Sequence, residues 1–183
     1  MLKRTMTAVL AITLLVTAGS AMAQCVIGVY ADAAGTQPII EPILFAEFDV
    51  HVVLRNEASV EGASYQFVPP PHTLTDPNRA WYGPDGNGLN IQTPGGSNVG
   101  FAECAIGFGG NAVLVATYKT RVIDVAAVGG FYEVVANVDE NPSFPVHATC
   151  NGFILECENT QPLEITGVIA TEAASFGAVK SLY

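Results

Sequence analysis

Four cysteines, three histidines and a single tryptophan carry most of the chemistry this 183-residue sequence can offer. His51 has Asp49 and Glu47 at two-residue spacing, so on an extended strand all three side chains share one face. A carboxylate beside an imidazole is the pairing a general base needs; on an exposed strand it is also what any solvated polar row looks like. His72 follows three prolines and His147 stands in a Pro-Val-His run before Cys150, and neither has a partner at motif spacing. The nucleophile elbow, the His-Glu-x-x-His zinc motif, the phosphate loop and the dinucleotide fingerprint are all missing. Asp85-Gly86-Asn87-Gly88 offers two oxygen-bearing side chains where calcium takes about six to eight ligands, and it reads as a turn. The residues nominate no catalytic group and call for no cofactor.

Binding chemistry is better represented, between Pro69 and Asn98. Trp81 and Tyr82 stand there among Asp76, Asn78, Arg79, Asp85 and Asn87, in a stretch whose prolines and glycines read as one long loop. Flat aromatics beside short polar side chains suit a sugar-stacking or protein-docking surface. The competing reading has Trp81 turned inward as a plug for the end of the fold. The candidate ligand-binding set is Trp81, Tyr82, Asp76, Arg79, Asp85 and Asn87.

Cys25, Cys104, Cys150 and Cys157 lack the Cys-x-x-Cys spacing of metal sites and read as two disulfides. Three pairings are open. Asn151-Gly152 is a hairpin turn signal between Cys150 and Cys157, which favours a local bridge there and a long one from Cys25 to Cys104. In the loop-entropy picture the long bridge constrains the unfolded chain by about 4 kcal/mol.

These groups must be positioned by strands. Phe48, Val50, Val52 and Leu54 alternate with Glu47, Asp49, His51 and Arg55, the period of a half-buried strand over 47–55. After a turn at 56–59, Ala63, Tyr65 and Phe67 continue the alternation until the prolines at 69–71. Leu114, Ala116, Tyr118, Thr120 and Val122 form another such row. Gly129-Gly130 reads as the turn into Tyr132, Val134, Ala136 and Val138. Shorter strands are expected at 26–30, 99–105, 153–156 and 163–170. Many short alternating strands predict an all-β fold, an antiparallel two-sheet β-sandwich of jelly-roll or immunoglobulin-like kind. Ser175 caps a predicted short C-terminal helix carrying Phe176, Val179 and Leu182.

The N-terminus supplies the address. Lys3 and Arg4, an uncharged apolar run and Ala21-Met22-Ala23 predict a signal peptide over 1–23, followed by one domain over 24–183. Gln24 holds the position a lipid-bearing cysteine would need, so the protein is expected to be secreted, periplasmic or at the cell surface without a lipid. The net charge of −10 opposes nucleic-acid and anionic-lipid partners, and no membrane insertion is expected.

Two segments bring a family into view. Phe48-Asp-Val-His-Val-Val-Leu-Arg-Asn56 followed by Val60-Glu-Gly-Ala-Ser-Tyr-Gln-Phe67 resembles the opening of cohesin-like modules. Asn111-Ala-Val-Leu-Val-Ala-Thr-Tyr-Lys119 resembles a later strand of the same modules. The resemblance covers half of the mature chain. It implies a secreted bacterial sandwich of the cohesin and carbohydrate-binding-module type, with a docking face in place of an active site, since cohesins bind dockerin helices on one sheet face. The sequence thus predicts a non-enzymatic binding or adhesion module contacting a protein or glycan at the cell exterior. Two other readings stand beside it: a carbohydrate-binding module using Trp81 and Tyr82, and a secreted hydrolase without a recognisable motif.

Overall fold

Alternation along the central strands decides the architecture, because each strand buries one face and must find a second sheet to bury it against. The computed structural model describes residues 25–57, 59–106 and 112–170. The expected signal peptide and C-terminal helix lie outside them. The strands run in order β1 (Val26–Tyr30), β2 (Ile39–Ile40), β3 (Glu47–Arg55), β4 (Ser59–Val68), β5 (Thr73–Tyr82), β6 (Leu89–Thr93) and β7 (Gly96–Ile106). They continue with β8 (Ala112–Val122), β9 (Phe131–Val135), β10 (Val146–Ala148), β11 (Ile154–Glu156), β12 (Asn159–Gln161) and β13 (Leu163–Ile165).

One sheet has the order β12-β1-β3-β8-β5, and the other runs β11-β10-β4-β9-β13-β2 with β7 and then β6 added beside β4. Most neighbours are antiparallel, but β1 pairs parallel with β12 and β13 pairs parallel with β2. The sheets are therefore mixed. Antiparallel pairing was the expectation, and it fails where the last short strands return to the two edges.

Between the sheets Ile27, Val29, Val50, Val52, Leu54 and Val113 meet Val60, Tyr65, Val99, Tyr132, Leu163 and Ile165, all buried. Each such aliphatic side chain contributes about 1.5–3 kcal/mol on leaving water. Three tyrosines bridge the layers without leaving their hydroxyls unpaired. The Tyr65 and Tyr118 hydroxyls are 3.0 Å apart, and the Tyr132 hydroxyl lies 3.0 Å from Thr120 Oγ1. Burial pushes all three phenols above their ordinary range, so they stay neutral. Phe67 stacks on Tyr118 with ring centres 4.3 Å apart.

Three expectations change. First, 69–98 is not a loop: β5, β6 and the start of β7 occupy most of it. Second, Gly129-Gly130 does not close a hairpin. β8 and β9 lie in different sheets, and the connection crosses through a 3-10 turn at Val125–Ala127 that Asp124 caps by accepting from the Ala126 N–H at 2.9 Å. Third, a bulge between Val52 and Val53 of β3 inserts Val115 into the β8 register and turns Leu114 away from the main core. Leu114 instead packs outside the five-stranded sheet with Tyr30, Val53 and Ala112.

The disulfides join Cys25 to Cys157 and Cys104 to Cys150, with Cα–Cα distances of 4.9 and 5.6 Å. The favoured pairing, Cys25 with Cys104 and Cys150 with Cys157, is thereby corrected. The Asn151-Gly152 hairpin does form, closed by the Thr149 N–H donating to the Phe153 carbonyl at 2.8 Å. It places Cys150 at the tip and Cys157 at the base, where its N–H donates to the Pro145 carbonyl at 2.9 Å. The two sulfurs thus sit at opposite ends of the hairpin. Non-reducing peptide mapping should recover Cys25–Cys157 and Cys104–Cys150 crosslinks; a Cys150–Cys157 peptide would contradict this fold.

Candidate functional site

The two outer sheet faces differ in how far their side chains satisfy one another. On the five-stranded sheet, strand register builds cross-strand rows from β3, β8 and β5: Glu47 with Arg121 and Leu74, Asp49 with Lys119 and Asp76, and His51 with Thr117 and Trp81. Trp81 is 44% exposed, so the reading of it as an inward plug is set aside. The Lys119 ammonium lies 5.0 Å from its ring centre, a cation–π contact, and also meets Asp49 at 2.8 Å.

Between Asp76 and Trp81, β5 bulges. Asp76 accepts from the Asn78 N–H at 2.9 Å, shaping that bulge, and Arg79 reaches Glu47 at 2.7 Å. Tyr82 points the other way, inward and edge-on to Tyr118 at 6.3 Å. Asp85 and Asn87 belong to the 83–88 turn and line a separate depression with Phe101 and Glu103. Of the six candidate residues the fold brings Asp76, Arg79 and Trp81 to one face. Tyr82 faces the other way, and Asp85 and Asn87 line the neighbouring depression, in a turn whose Gly86 lies against the Trp81 side chain. Each cation of the rows already has a carboxylate beside it, so this face is electrostatically self-paired.

His51 is half-buried in this face, with Nδ1 3.0 Å from Thr117 Oγ1. Burial pushes its pKa below the ordinary histidine range, against the upward pull of Asp49 and Asp32.

The outer face of the eight-stranded sheet is built differently. Register aligns Leu89, Gly100, Gly62, Ala148 and Ile154 across five strands, from β6 through β7, β4 and β10 to β11. The next row is Ile91, Asn98, Ser64, Val146 and Glu156. Small residues thus floor the middle while Leu89, Ile91 and Ile154 stand as walls, 68%, 59% and 74% exposed. The result is a groove of about 390 Å³. Four strand spacings separate its walls, about 19 Å, room for one helix of about 10 Å diameter.

Two glycines make the floor for opposite reasons. A Cβ on Gly62 would sit 2.5 Å from the Val99 carbonyl oxygen, so β4 and β7 can approach there only without a side chain. A Cβ on Gly100 would meet no atom within 4 Å. Packing does not demand glycine at that position, and its missing side chain leaves the groove open.

One end of the groove is closed by the segment after β9. Buried Asn137 donates through Nδ2 to Ser64 Oγ at 3.0 Å and to Asn98 Oδ1 at 3.1 Å. Asn98 in turn donates to Glu140 at 2.9 Å. Among the described residues lining the groove the formal charges are Glu61 and Glu140, both acidic. Sequence reading passed over Leu89 and Ile91 because Pro94 and the glycines at 86, 88, 95 and 96 suggested a loop. The signal was present: Leu89 and Ile91 alternate with Asn90 and Gln92 between two turn sequences.

No protein-family model and no curated protein sequence matches the chain. Among solved structures, a cohesin module from the family 33 glycoside hydrolase of Clostridium perfringens superposes with a TM-score of 0.51 at 7% identity, covering 79% of this chain and 98% of that module. The chain has a cohesin-like fold. A non-cellulosomal cohesin from Archaeoglobus fulgidus aligns over 83% of this chain and 96% of its own length, at 14% identity and TM-score 0.48. The major pilin subunit BcpA of Bacillus cereus aligns over 80% of this chain and 40% of its own, at 10% identity and TM-score 0.42. The cohesin-like sandwich agrees with the resemblance read from β3, β4 and β8.

Two measurements check the five-stranded face. Trp81 should emit in the red and be quenched by both acrylamide and iodide, with Lys119→Met weakening iodide quenching more than acrylamide quenching. Blue, shielded emission would place the ring inside. The second is pH dependence. The unfolded chain takes up histidine protons near pH 6.5, whereas burial keeps His51 and His147 neutral in the native state to lower pH. Stability should therefore be full above that pH and fall as the pH drops below it, and His51→Gln should flatten the fall in urea midpoints.

Proposed function

We propose that this cohesin-like chain is a non-enzymatic protein-docking module that works outside the cytoplasm. Its partner would be an amphipathic helix laid in the groove of the eight-stranded sheet. The observation that carries this reading is the floor of Gly62, Gly100 and Ala148 between the exposed walls Leu89, Ile91 and Ile154. Contiguous apolar surface of this kind, rimmed by polar groups, is the mark of an interaction site. The acidic lining and the net charge of −10 favour a helix with basic flanks.

The two disulfides support a location in an oxidising compartment. Among the described residues no helix is long and apolar enough to cross a membrane. A glycan platform built from Trp81 and Tyr82 has less support, because the two rings point to opposite sides of the sheet.

Selection from a displayed library of amphipathic helices with lysine flanks tests the reading directly. Selected peptides should lose at least about tenfold in affinity, a loss equivalent to about 1.4 kcal/mol, for Gly100→Leu, whose Cβ meets no atom within 4 Å, and for Ile91→Glu. They should bind Trp81→Ala normally. Peptides indifferent to Gly100→Leu but abolished by Trp81→Ala or Arg121→Glu would move docking to the five-stranded face. A library yielding no binder would remove the helix-in-groove reading.

A further inference from the structure

Beneath the groove lies a second constellation, on the opposite face of β10. His147 is 1% exposed, and its Nδ1 sits 3.6 Å from Cys25 Sγ and 3.4 Å from Cys157 Sγ. Its Nε2 faces Glu57 Oε1 at 3.5 Å and has no hydrogen-bond partner. The two sulfurs and the ring nitrogen all lie within 4.8 Å of one another.

These distances have a meaning beyond a histidine packed on a disulfide. In a tetrahedral zinc site with Zn–S of about 2.3 Å and Zn–N of about 2.0 Å, sulfur and nitrogen ligands stand about 3.5 Å apart. Both nitrogen–sulfur edges of that tetrahedron are already in place. The third edge, between the sulfurs, is closed by their covalent bond and would open on reduction. Glu57 Oε1 stands on the far side of the imidazole, 3.5 Å from Nε2, and closing that gap would hold Nε2–H and leave Nδ1 as the ligand atom.

We propose that reduction of the Cys25–Cys157 bond converts this cluster into a three-ligand site for a zinc-class cation, held by both sulfurs and His147 Nδ1. The reductant is a dithiol, which delivers two electrons and two protons to the disulfide and leaves as its own cyclic disulfide. The cation then displaces the two thiol protons to solvent and binds two thiolates and the neutral imidazole, with its fourth position left for water. Oxidation by a disulfide of higher potential re-forms the bond and expels the cation. The site would lie directly under Val146 and Ala148, which floor the groove from the other side of the same strand.

Cobalt(II) is the probe. The Cys104→Ser/Cys150→Ser variant, which retains the Cys25–Cys157 bond alone, is reduced with a phosphine that becomes its oxide and does not compete as a thiolate. Titration should give one cobalt per chain, with a near-ultraviolet thiolate-to-cobalt band and visible bands of tetrahedral intensity, and zinc should bleach both. His147→Ala should weaken cobalt binding at least tenfold, Glu57→Gln about ten- to a hundredfold, and His72→Ala not at all. The oxidised protein should show no band. Should the reduced chain unfold, cobalt must restore the far-ultraviolet β spectrum, since binding and folding are then one equilibrium. The proposal fails if reduced protein, folded or not, gains no thiolate–cobalt band, or if the band survives Cys25→Ser or His147→Ala with unchanged affinity.

Discussion

At Gly62 the backbones of β4 and β7 come so close that a methyl group would overlap the Val99 carbonyl. Much of the eight-stranded sheet depends on that approach. β4 pairs with β7, β10 and β9, so three partner strands converge on its ten residues. A bulge between Val60 and Gly62 sets the register from which both outer rows follow. The same glycine that lets the sheet close also removes side chains from its outer face. Closure of the fold and concavity of the surface thus share one cause.

The two faces illustrate two ways of finishing a sheet. The five-stranded face pairs Glu47 with Arg79 and Arg121 and Asp49 with Lys119, contacts worth up to about 1 kcal/mol each when exposed. Their effect is less on stability than on availability, since a charge already paired offers little to a partner. Among the described residues no ion pair lies over Leu89, Ile91 and Ile154 on the opposite face. Apolar surface left in water retains its full driving force for association. Physical complementarity therefore favours the groove, although the sequence drew attention to the aromatic segment.

Much of the fold was legible because the side chains of β3, β4 and β8 alternate over much of their length, and a period of two survives wherever one face is buried. β1 and β3 came out at the boundaries their side chains suggest. Information that depends on distant partners was not legible. Val115 reads as one more residue of a strand, and only pairing with β3 makes it the bulge that turns Leu114 outward. Cys150 and Cys157 read as neighbours, and only the hairpin's length separates them. Leu89 and Ile91 were hidden by glycine-rich turns on either side, which punctuate a strand as readily as they fill a loop. Gly100 carries no local signal, because the reason for a glycine there is empty space.

The clasp between Cys25 and Cys157 has a mechanical meaning. It spans 132 residues and lies at the foot of the parallel pair β1–β12. Tension applied between residue 25 and residue 165 would pass through one covalent bond straight into β12 and β13. Strands β2 through β11, with both the groove and the charged face, lie outside that load path. A domain wired in this way keeps both outer faces at rest while its ends are pulled.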